Sequence, residues 1–600
     1  MIKIDKKMND ILSDYFEEEL PPEILEQLET KSLKGGEWLF KQGDAGDSLY
    51  FLIRGRLQTW LEADTANDQA ARMLGEIAPG DSVGEVGLIS GEQRSASMQA
   101  VRDSLLIRIN HQLFGKLAKT YPGLVLKIAA NVAKLLQRRT TNSVSPTNKM
   151  NTISLLPIGD NEKIKQFFDD FTHQYRQNSS IIVVEPDQFK ALNAPDTNYH
   201  PDQELPAELK NWLFDLESHY DLVLFKCTAV NDSWTQFVER QSDIILIVAD
   251  ANNNPEEIDW DSYPDCSQGK DTGRQALILL QDDRTKIKNT LRWLDGRKYN
   301  FHLHIQSGLI SDIQRAVRIF SGKSVGLVIG GGAARGLAGI GVYKAMVEAK
   351  VYPDWVGGTS MGSIVAAVFA VGLSTEEVYQ RSYAAFKVGK PFSDITIPVI
   401  SLIRGKRMER LLKVHLDYQI EDLALPYFCV STNLGRGTKN IHERGCLVHA
   451  IRASAALPGV MPPVVVDQEL AIDGAVLDNL PVDIMQQKPV AKVIAVEFSI
   501  TTPMKVDYTE LPSPWAILAG RWLPFTKKYR VPKLTSIIMK SSETATLQEV
   551  RKHGLMADLL ISPDIKRFGI TDVKSFDQIV EAGYVCAVEE LKNWTFNQNS

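Results

Sequence analysis

Apolar positions change rhythm three times along the chain. Between about residues 20 and 117, short alternating runs at 37–40, 48–53 and 105–109 are separated by glycine turns, and a helical period follows at 123–139. Alternation with a period of two marks half-buried strands, so this part reads as a small β-roll between helices. The stretch 140–148, Thr-Thr-Asn-Ser-Val-Ser-Pro-Thr-Asn, has no period and reads as a linker. Beyond it the apolar runs become continuous, at 153–157, 181–184, 222–225, 244–248 and 276–280, with helical patterns such as 163–173 between them. Strands apolar on both faces belong to a parallel sheet covered by helices. The third rhythm occupies 324–371 and reads strand, glycine loop, helix, strand, sharp turn, helix. The expected chain is multidomain α/β: a β-roll domain at 1–140, a linker at 141–150, a parallel α/β spacer at 151–322, a second α/β domain at 323–495 and an extension at 496–600 whose role the pattern does not give.

The third segment carries the chemistry. Its first strand, Val325 to Ile329, ends in Gly330-Gly331-Gly332-Ala333-Ala334-Arg335-Gly336, where the backbone is open to close approach. Trp355-Val356-Gly357 then runs into Gly358-Thr359-Ser360-Met361-Gly362 and an apolar helix. Small residues around a serine between strand and helix allow the tight turn of a nucleophile elbow, although the pentapeptide alone also fits an ordinary turn. A dinucleotide fingerprint starting at Gly330 would need glycine at Arg335, and a phosphate loop ending in Gly322-Lys323-Ser324 would need glycine at Val317 and a preceding strand. What remains is an array of N–H groups at Gly330, Gly331, Gly332 and Ala333, suited to negative charge developing on a carbonyl oxygen.

A serine hydroxyl needs a base. His553 follows the acidic candidates in a Ser, Asp, His order, but Val550-Arg551-Lys552-His553-Gly554 reads as a charged surface segment, so a solvated histidine is expected there. Asp473, in Ala471-Ile472-Asp473-Gly474-Ala475, has apolar neighbours whose burial would lift a carboxylate above its usual ~3.9. Its plainer reading is a turn residue, since Asp-Gly is a common turn pair.

Four ordered blocks carry a resemblance: Gly330 through Gly336, Gly358 through Gly362, Arg452-Ala453-Ser454-Ala455-Ala456-Leu457-Pro458-Gly459, and Asp473-Gly474-Ala475. They resemble the patatin-like phospholipases. Ile420-Glu421-Asp422-Leu423, Leu425-Pro426-Tyr427-Phe428 and Asn479-Leu480-Pro481 are similar to the neuropathy target esterase branch, and the likeness extends into the flanking domains. The resemblance implies a C-terminal patatin-like α/β hydrolase domain in which Ser360 is the nucleophile and Asp473 the general base of a dyad that hydrolyses fatty-acyl esters of lysophospholipids and phospholipids. It implies no catalytic cofactor and no metal, and leaves Arg335 to support the loop. Ala333 departs from a glycine frequent in that loop, and Gly339 lies where relatives carry histidine.

In the N-terminal part, 82–89 and Gln93-Arg94-Ser95-Ala96-Ser97 resemble the phosphate-binding cassette of cyclic-nucleotide-binding domains, and 43–47 matches an upstream turn. The resemblance implies an allosteric ligand, cyclic AMP or cyclic GMP, at Gly84, Glu85, Arg94 and Ser95. A helix start would offer N–H groups to the phosphate, Arg94 would pair with its charge, and Glu85 would accept from the ribose 2′-hydroxyl. A roll that has lost its ligand and only packs is the alternative. The middle segment resembles the degenerate nucleotide-hydrolase-like domain of neuropathy target esterase relatives and, lacking Gly-x-x-x-x-Gly-Lys-Ser/Thr, is expected to couple domains rather than hydrolyse nucleotides.

A net charge of -7 over 600 residues gives no general attraction to nucleic acid, so contact with an anionic membrane would need a local basic patch. The five cysteines, at 227, 266, 429, 446 and 586, have no paired spacing and read as reduced thiols. No signal peptide opens the sequence and no apolar stretch reaches the ~20 residues of a membrane span, which points to a cytoplasmic protein, peripheral at most at the inner membrane face. Residues 515–533 mix Trp515, Trp522, Phe525 and Tyr529 with Arg521, Lys527, Lys528, Arg530 and Lys533, a pattern for headgroup contact whose alternative is core packing. The competing functions are a soluble esterase or thioesterase on the same site, and a nucleotide-regulated binding protein with a silent hydrolase fold.

Overall fold

The computed structural model describes residues 6–17, 20–62, 72–140, 150–192, 206–228, 232–263, 275–498, 508–522, 529, 531–532, 534–594 and 596. The linker expected at 141–150 therefore lies outside the described residues except for Met150. The chain divides into two compact units, Met1–Ser324 with Gln486–Ala491, and Val325–Met485 with Lys492–Phe596.

In the first unit, the alternating segment folds as an antiparallel roll dominated by two long strands, Ser48–Leu61 and Ser97–Asn110, paired along most of their length. Leu49, Phe51, Ile53, Ile107 and Ile109 point into a core closed by the helices Lys6–Phe16, His111–Thr120 and Pro122–Thr140. The continuous apolar runs form an all-parallel six-stranded sheet in the order 301–306, 275–281, 244–250, 152–158, 222–226, 181–184. Its strand Phe301–Gln306, with His302 and His304 breaking the apolar run, is one the sequence pattern did not single out. At the sheet's carboxyl edge Lys163 bonds Asp250 and Asp282 at 3.1 and 2.7 Å, so acids of the domain itself occupy this lysine.

Roll and sheet are joined inside this unit by a buried ionic network. Arg102 Nε bonds Asp243 at 2.7 Å and its Nη1 bonds Glu217 at 3.0 Å. Arg56 joins Asp243 and Glu76, and Arg54 joins Glu217 at 3.2 Å. Three guanidinium groups thus face three carboxylates, and Arg56 and Arg102 have no exposed surface at all. Full pairing is what makes such burial tolerable, because an unpaired ion there carries a large desolvation penalty. The arginines beside Asp243 hold its carboxyl far below the ordinary aspartate range despite burial.

The second unit is built on an eight-stranded mixed sheet. Parallel strands Val325–Ile329, Trp355–Thr359 and Tyr427–Asn433 lie side by side, and Lys492–Val496 flanks Val325–Ile329 on its other edge. The sheet's order reverses at Val325–Ile329, which leaves a crevice at the carboxyl ends of its strands, the usual place for a site in such sheets. Antiparallel strands Thr438–His442 and Glu469–Asp473 extend the other side through Tyr427–Asn433. The boundary expected at residue 495 does not end this domain. Leu559–Ile561 adds a parallel strand beside Lys492–Val496, and helix Phe576–Lys592 packs on helix Ala338–Glu348. Gly341 and Gly583 allow that crossing, since a Cβ on either would come within 1.9 Å of the opposite backbone. Ile561, Phe576, Ile579 and Leu591 complete the domain's core, so the C-terminal segment is structural here.

Candidate active site

The two glycines of the elbow have a steric reason. A Cβ on Gly362 would fall 2.0 Å from the Ile329 carbonyl oxygen, and one on Gly358 2.5 Å from the same atom. The helix Met361–Ala370 can therefore start directly against the end of the central strand, and all ten of its residues are buried. Ser360, at the turn, has φ 55 and ψ -124, a conformation non-glycine residues avoid at a cost of about 1–3 kcal/mol. Surrounding bonds hold it there: its N–H donates to Ser454 Oγ at 3.0 Å, and its carbonyl accepts from the Ser363 hydroxyl at 2.6 Å.

This geometry brings Ser360 to a residue 113 positions away, with Ser360 Oγ donating to Asp473 Oδ2 at 2.7 Å. Asp473 ends the strand Glu469–Asp473, and its other oxygen accepts the Ala475 N–H at 2.9 Å. It is 1 % exposed. Burial pushes its carboxyl up to about 7, and the bonds from Ala475 and Ser360 pull only partly the other way. A carboxyl raised to that range can both accept a proton and give it up near neutral pH.

The glycine loop lies beside Ser360, but not all its donors face that way. Gly330 N–H donates to Val496 O at 2.9 Å, within the sheet's continuation. Gly331 N–H is taken by Asn479, whose Oδ1 accepts at 3.0 Å while its Nδ2 donates back to Gly331 O at 3.2 Å. The expectation that Gly330 and Gly331 present N–H groups to an oxyanion is thereby corrected: the central strand and Asn479 already hold them. A Cβ on Gly331 would sit 2.4 Å from Asn479 Oδ1 and 3.0 Å from Ser360 Cβ, so glycine is required there for close approach. Among the described residues, the N–H groups of Gly332 and Ala333 meet no backbone acceptor. Ala333 has φ 47, in the left-handed region that glycine adopts more readily. Arg335 is buried in the short turn Ala333–Leu337.

His553 is not the solvated residue expected. It lies in helix Leu534–Met556, is 3 % exposed, and its Nδ1 contacts Leu480 O at 2.8 Å and Asp478 Oδ1 at 3.2 Å. Desolvation opposes its charge, but Asp478 and Asp483 outweigh that and raise its pKa. Lys439 Nζ also bonds Asp478, at 2.6 Å, and Asp483, at 3.0 Å. Asp478, Asp483 and His553 are close enough together to hold a cation, yet the Lys439 ammonium already sits on both acids. The Asp478 carbonyl accepts from the Thr359 hydroxyl at 3.0 Å, so this charged group anchors the chain between Asp473 and Asn479 against the elbow. Neither Ser360 nor Asp473 bonds a histidine among the described residues. Ser454 and Asn479 stood within motif blocks in the sequence, but nothing there told their roles as partners of Ser360 and Gly331.

In the roll, Gly84 has φ 87 and precedes the short helix Glu85–Ser90. Arg94 is folded inward, with Nη1 donating to Gly84 O and Nη2 to Ser48 O, both at 2.8 Å, and its guanidinium lies 4.3 Å over the Phe40 ring. Among the described residues its buried Nε–H meets no acceptor. Glu85 is buried and Ser95 exposed. Of the aromatic and basic stretch 515–533, helix Pro514–Trp522 is described and Trp515 is exposed, while 523–528, 530 and 533 lie outside the described residues.

Three family models match consecutive parts of the chain: a cyclic nucleotide-binding domain at 30–121, the Neuropathy Target Esterase family P-loop like domain at 149–324, and a patatin-like phospholipase at 327–485. The chain is 28 % identical over 97 % of its length to lysophospholipase NTE1 of Kluyveromyces lactis, of which it covers 49 %. It is 28 % identical over 94 % of its length to patatin-like phospholipase domain-containing protein 6 of Mus musculus, of which it covers 45 %. A solved structure of the Thermus thermophilus catabolite activator protein covers 27 % of this chain and 72 % of its own, at 20 % identity and a TM-score of 0.19. The chain spans about half the length of the curated relatives it matches, at 49 % and 45 %. Along the chain the three matches follow in the order cyclic nucleotide-binding, P-loop like and patatin-like.

Proposed function

We propose that this chain, with its cyclic nucleotide-binding, P-loop-like and patatin-like domains in that order, is a serine esterase that hydrolyses fatty-acyl ester bonds of lysophospholipids and phospholipids. The observation that carries the reading is the 2.7 Å bond from Ser360 to a buried carboxyl whose pKa stands at about 7. Ser360 Oγ attacks the ester carbonyl while Asp473 Oδ2 takes its proton. The N–H groups of Gly332 and Ala333 are the loop donors left to stabilise the oxyanion. Asp473 passes its proton to the departing alcohol, then draws one from the water that attacks the acyl-enzyme and returns it to Ser360 Oγ as the acyl bond breaks and the fatty acid leaves. The elbow helix Met361–Ala370, which starts at Ser360, contributes Ile364 and Val368 to an apolar pocket completed by Phe386, Met408 and Leu412.

The test is hydrolysis of lysophospholipid, diacyl phospholipid and short-chain esters by wild type, Ser360→Ala and Asp473→Asn. Fatty acid released from lysophospholipid by wild type alone supports the reading. Turnover of short esters only would replace it with a soluble esterase, and labelling of Ser360 by a fluorophosphonate without turnover of any ester would leave a silent hydrolase fold.

The regulatory part of the proposal is that a cyclic nucleotide binds at Gly84, Glu85, Arg94 and Ser95 and alters the rate at Ser360. Arg94 then exchanges carbonyl partners for a charged phosphate, a bond roughly twice as strong as a neutral one. Regulation requires that the ligand bind two conformations of the protein unequally. Calorimetry with cyclic AMP and cyclic GMP tests it, and no heat from wild type with either would reduce the roll to a packing module.

A further inference from the structure

The segment 395–403, Ile-Thr-Ile-Pro-Val-Ile-Ser-Leu-Ile, contains no charged residue. Such a run of branched aliphatic residues ordinarily becomes a buried strand. Here it forms a hairpin that projects from the hydrolase domain. Its base is tied by Arg404 N–H to Asp394 O at 2.8 Å and Thr396 N–H to Leu402 O at 3.1 Å, with Ile395 bridging Ile403. Ile395, Ile397, Val399 and Ile400 are between 69 and 85 % exposed. Single exposed aliphatic side chains are ordinary, but a cluster on one ordered tip marks an interaction surface.

The charges around the tip identify its partner. Between residues 387 and 413 stand Lys387, Lys390, Arg404, Lys406, Arg407, Arg410 and Lys413 against Asp394 and Glu409, and Asp577 pairs with Lys387, a balance of seven minus three, or +4, in a chain whose net charge is -7. Lys390, Arg404, Lys406, Arg407, Arg410 and Lys413 are exposed. A second copy of the chain joined tip to tip would oppose this collar to itself. A bilayer with anionic headgroups meets both features, since apolar side chains enter the acyl boundary and cations meet phosphates.

The hairpin also stands close to the chemistry. Leu402 and Ile403 N–H donate to Gly459 O and Val460 O at 2.9 Å, and three residues before Gly459, Ala456 O accepts the Asp473 N–H. Three peptide steps span at most about 11 Å. Pro391, where the chain leaves for the hairpin, lines the apolar pocket beside the elbow helix.

We propose that the hairpin 395–403 is the protein's membrane-docking element, inserting Ile397, Val399 and Ile400 into an anionic phospholipid surface while the flanking cations bind headgroups. The proposal does not depend on the dyad, so Ser360→Ala should bind vesicles as wild type does. Flotation of the full chain is measured with vesicles of phosphatidylcholine alone and with added phosphatidylglycerol. Wild type should bind the anionic vesicles and release at high salt. Ile397→Ser/Val399→Ser/Ile400→Ser should bind at least about tenfold more weakly, and Lys390→Glu/Lys406→Glu/Arg410→Glu should lose the preference for phosphatidylglycerol, both keeping wild-type turnover of a soluble short-chain ester. In Val399→Trp the fluorescence should shift to the blue on vesicle addition. Undiminished vesicle binding by the triple serine variant would overturn the proposal. So would sedimentation in which wild type self-associates through this tip, the serine variant does not, and neither floats with vesicles.

Discussion

Replacing Asp473 by asparagine should make the hydrolase domain more stable and inactive at once. Asparagine keeps the shape, and its side-chain oxygen can still accept the Ala475 N–H. Burial lifts the Asp473 carboxyl from an ordinary 3.8 to about 7. About three pKa units at about 1.4 kcal/mol each make ionised Asp473 a liability of roughly 4 kcal/mol above neutral pH. Because the folded pKa lies above the unfolded one, the folded state holds its proton longer. The stability this gives is complete below the unfolded value and is lost as pH rises through about 7. The gain from Asp473→Asn should therefore grow by roughly 2–3 kcal/mol between about pH 5 and pH 8. Hydrogen exchange of the slowest amides in strands Val325–Ile329 and Trp355–Thr359 reads opening of this domain directly, and comparing variant with wild type at one pH cancels the intrinsic exchange rate. Wild-type kcat/KM on a soluble ester should fall about tenfold per pH unit below about 7, and the variant should lose about 10²–10⁴ in turnover. A wild-type profile flat down to about pH 5, with no pH-dependent stability difference between the two proteins, would refute a buried base with a raised pKa.

Three further outcomes are expected. Gly331→Ala should drive a Cβ into Asn479 and Ser360 and, by displacing the serine, lower turnover by about 10², whereas Ala333→Gly, relieving φ 47, should add about 1 kcal/mol and leave turnover nearly unchanged; steady-state kinetics and chemical denaturation check both. His553→Ala should cost about 1–3 kcal/mol through loss of its contact with Asp478, and the loss should be larger at pH 6 than at pH 9, because a raised histidine pKa stabilises below the unfolded value and fades as pH rises through the folded one. The same variant, assayed per folded molecule, should keep the pH limb near neutrality that belongs to Asp473. Arg102→Met should leave Asp243 and Glu217 short of a buried partner and cost about 3–5 kcal/mol in the unfolding of the first unit, with ester turnover unaffected.

The strands and helices that carry the proposed chemistry were legible in the sequence because their periods and turn residues are local properties. Val325–Ile329, the elbow and the helix after it lie where alternation, glycine and apolar runs place them. Ser360 and Asp473 could be named as candidates for the same reason: each sits in a short run whose residue types restrict the backbone around it. Their 2.7 Å contact, by contrast, joins positions 113 apart, and only the antiparallel return of Glu469–Asp473 beside Tyr427–Asn433 creates it. The glycine loop misled in part because any backbone N–H looks free until its acceptor is known, and the acceptor of Gly331 is Asn479, 148 residues away. His553 misled in the opposite sense, since charged neighbours along a helix indicate solvent only if no acidic loop packs on that face, and Asp478 and Asp483 do. Arg56 and Arg102, which no local pattern singled out, are fully buried in the fold. The hairpin at 395–403 inverts the case, a run with the composition of a core strand whose tip stays in solvent. Periodicity records which residues suit burial on average. Which of them are buried, paired or exposed is decided by contacts between distant segments, because burial and charge pairing depend on every surface that closes over a residue.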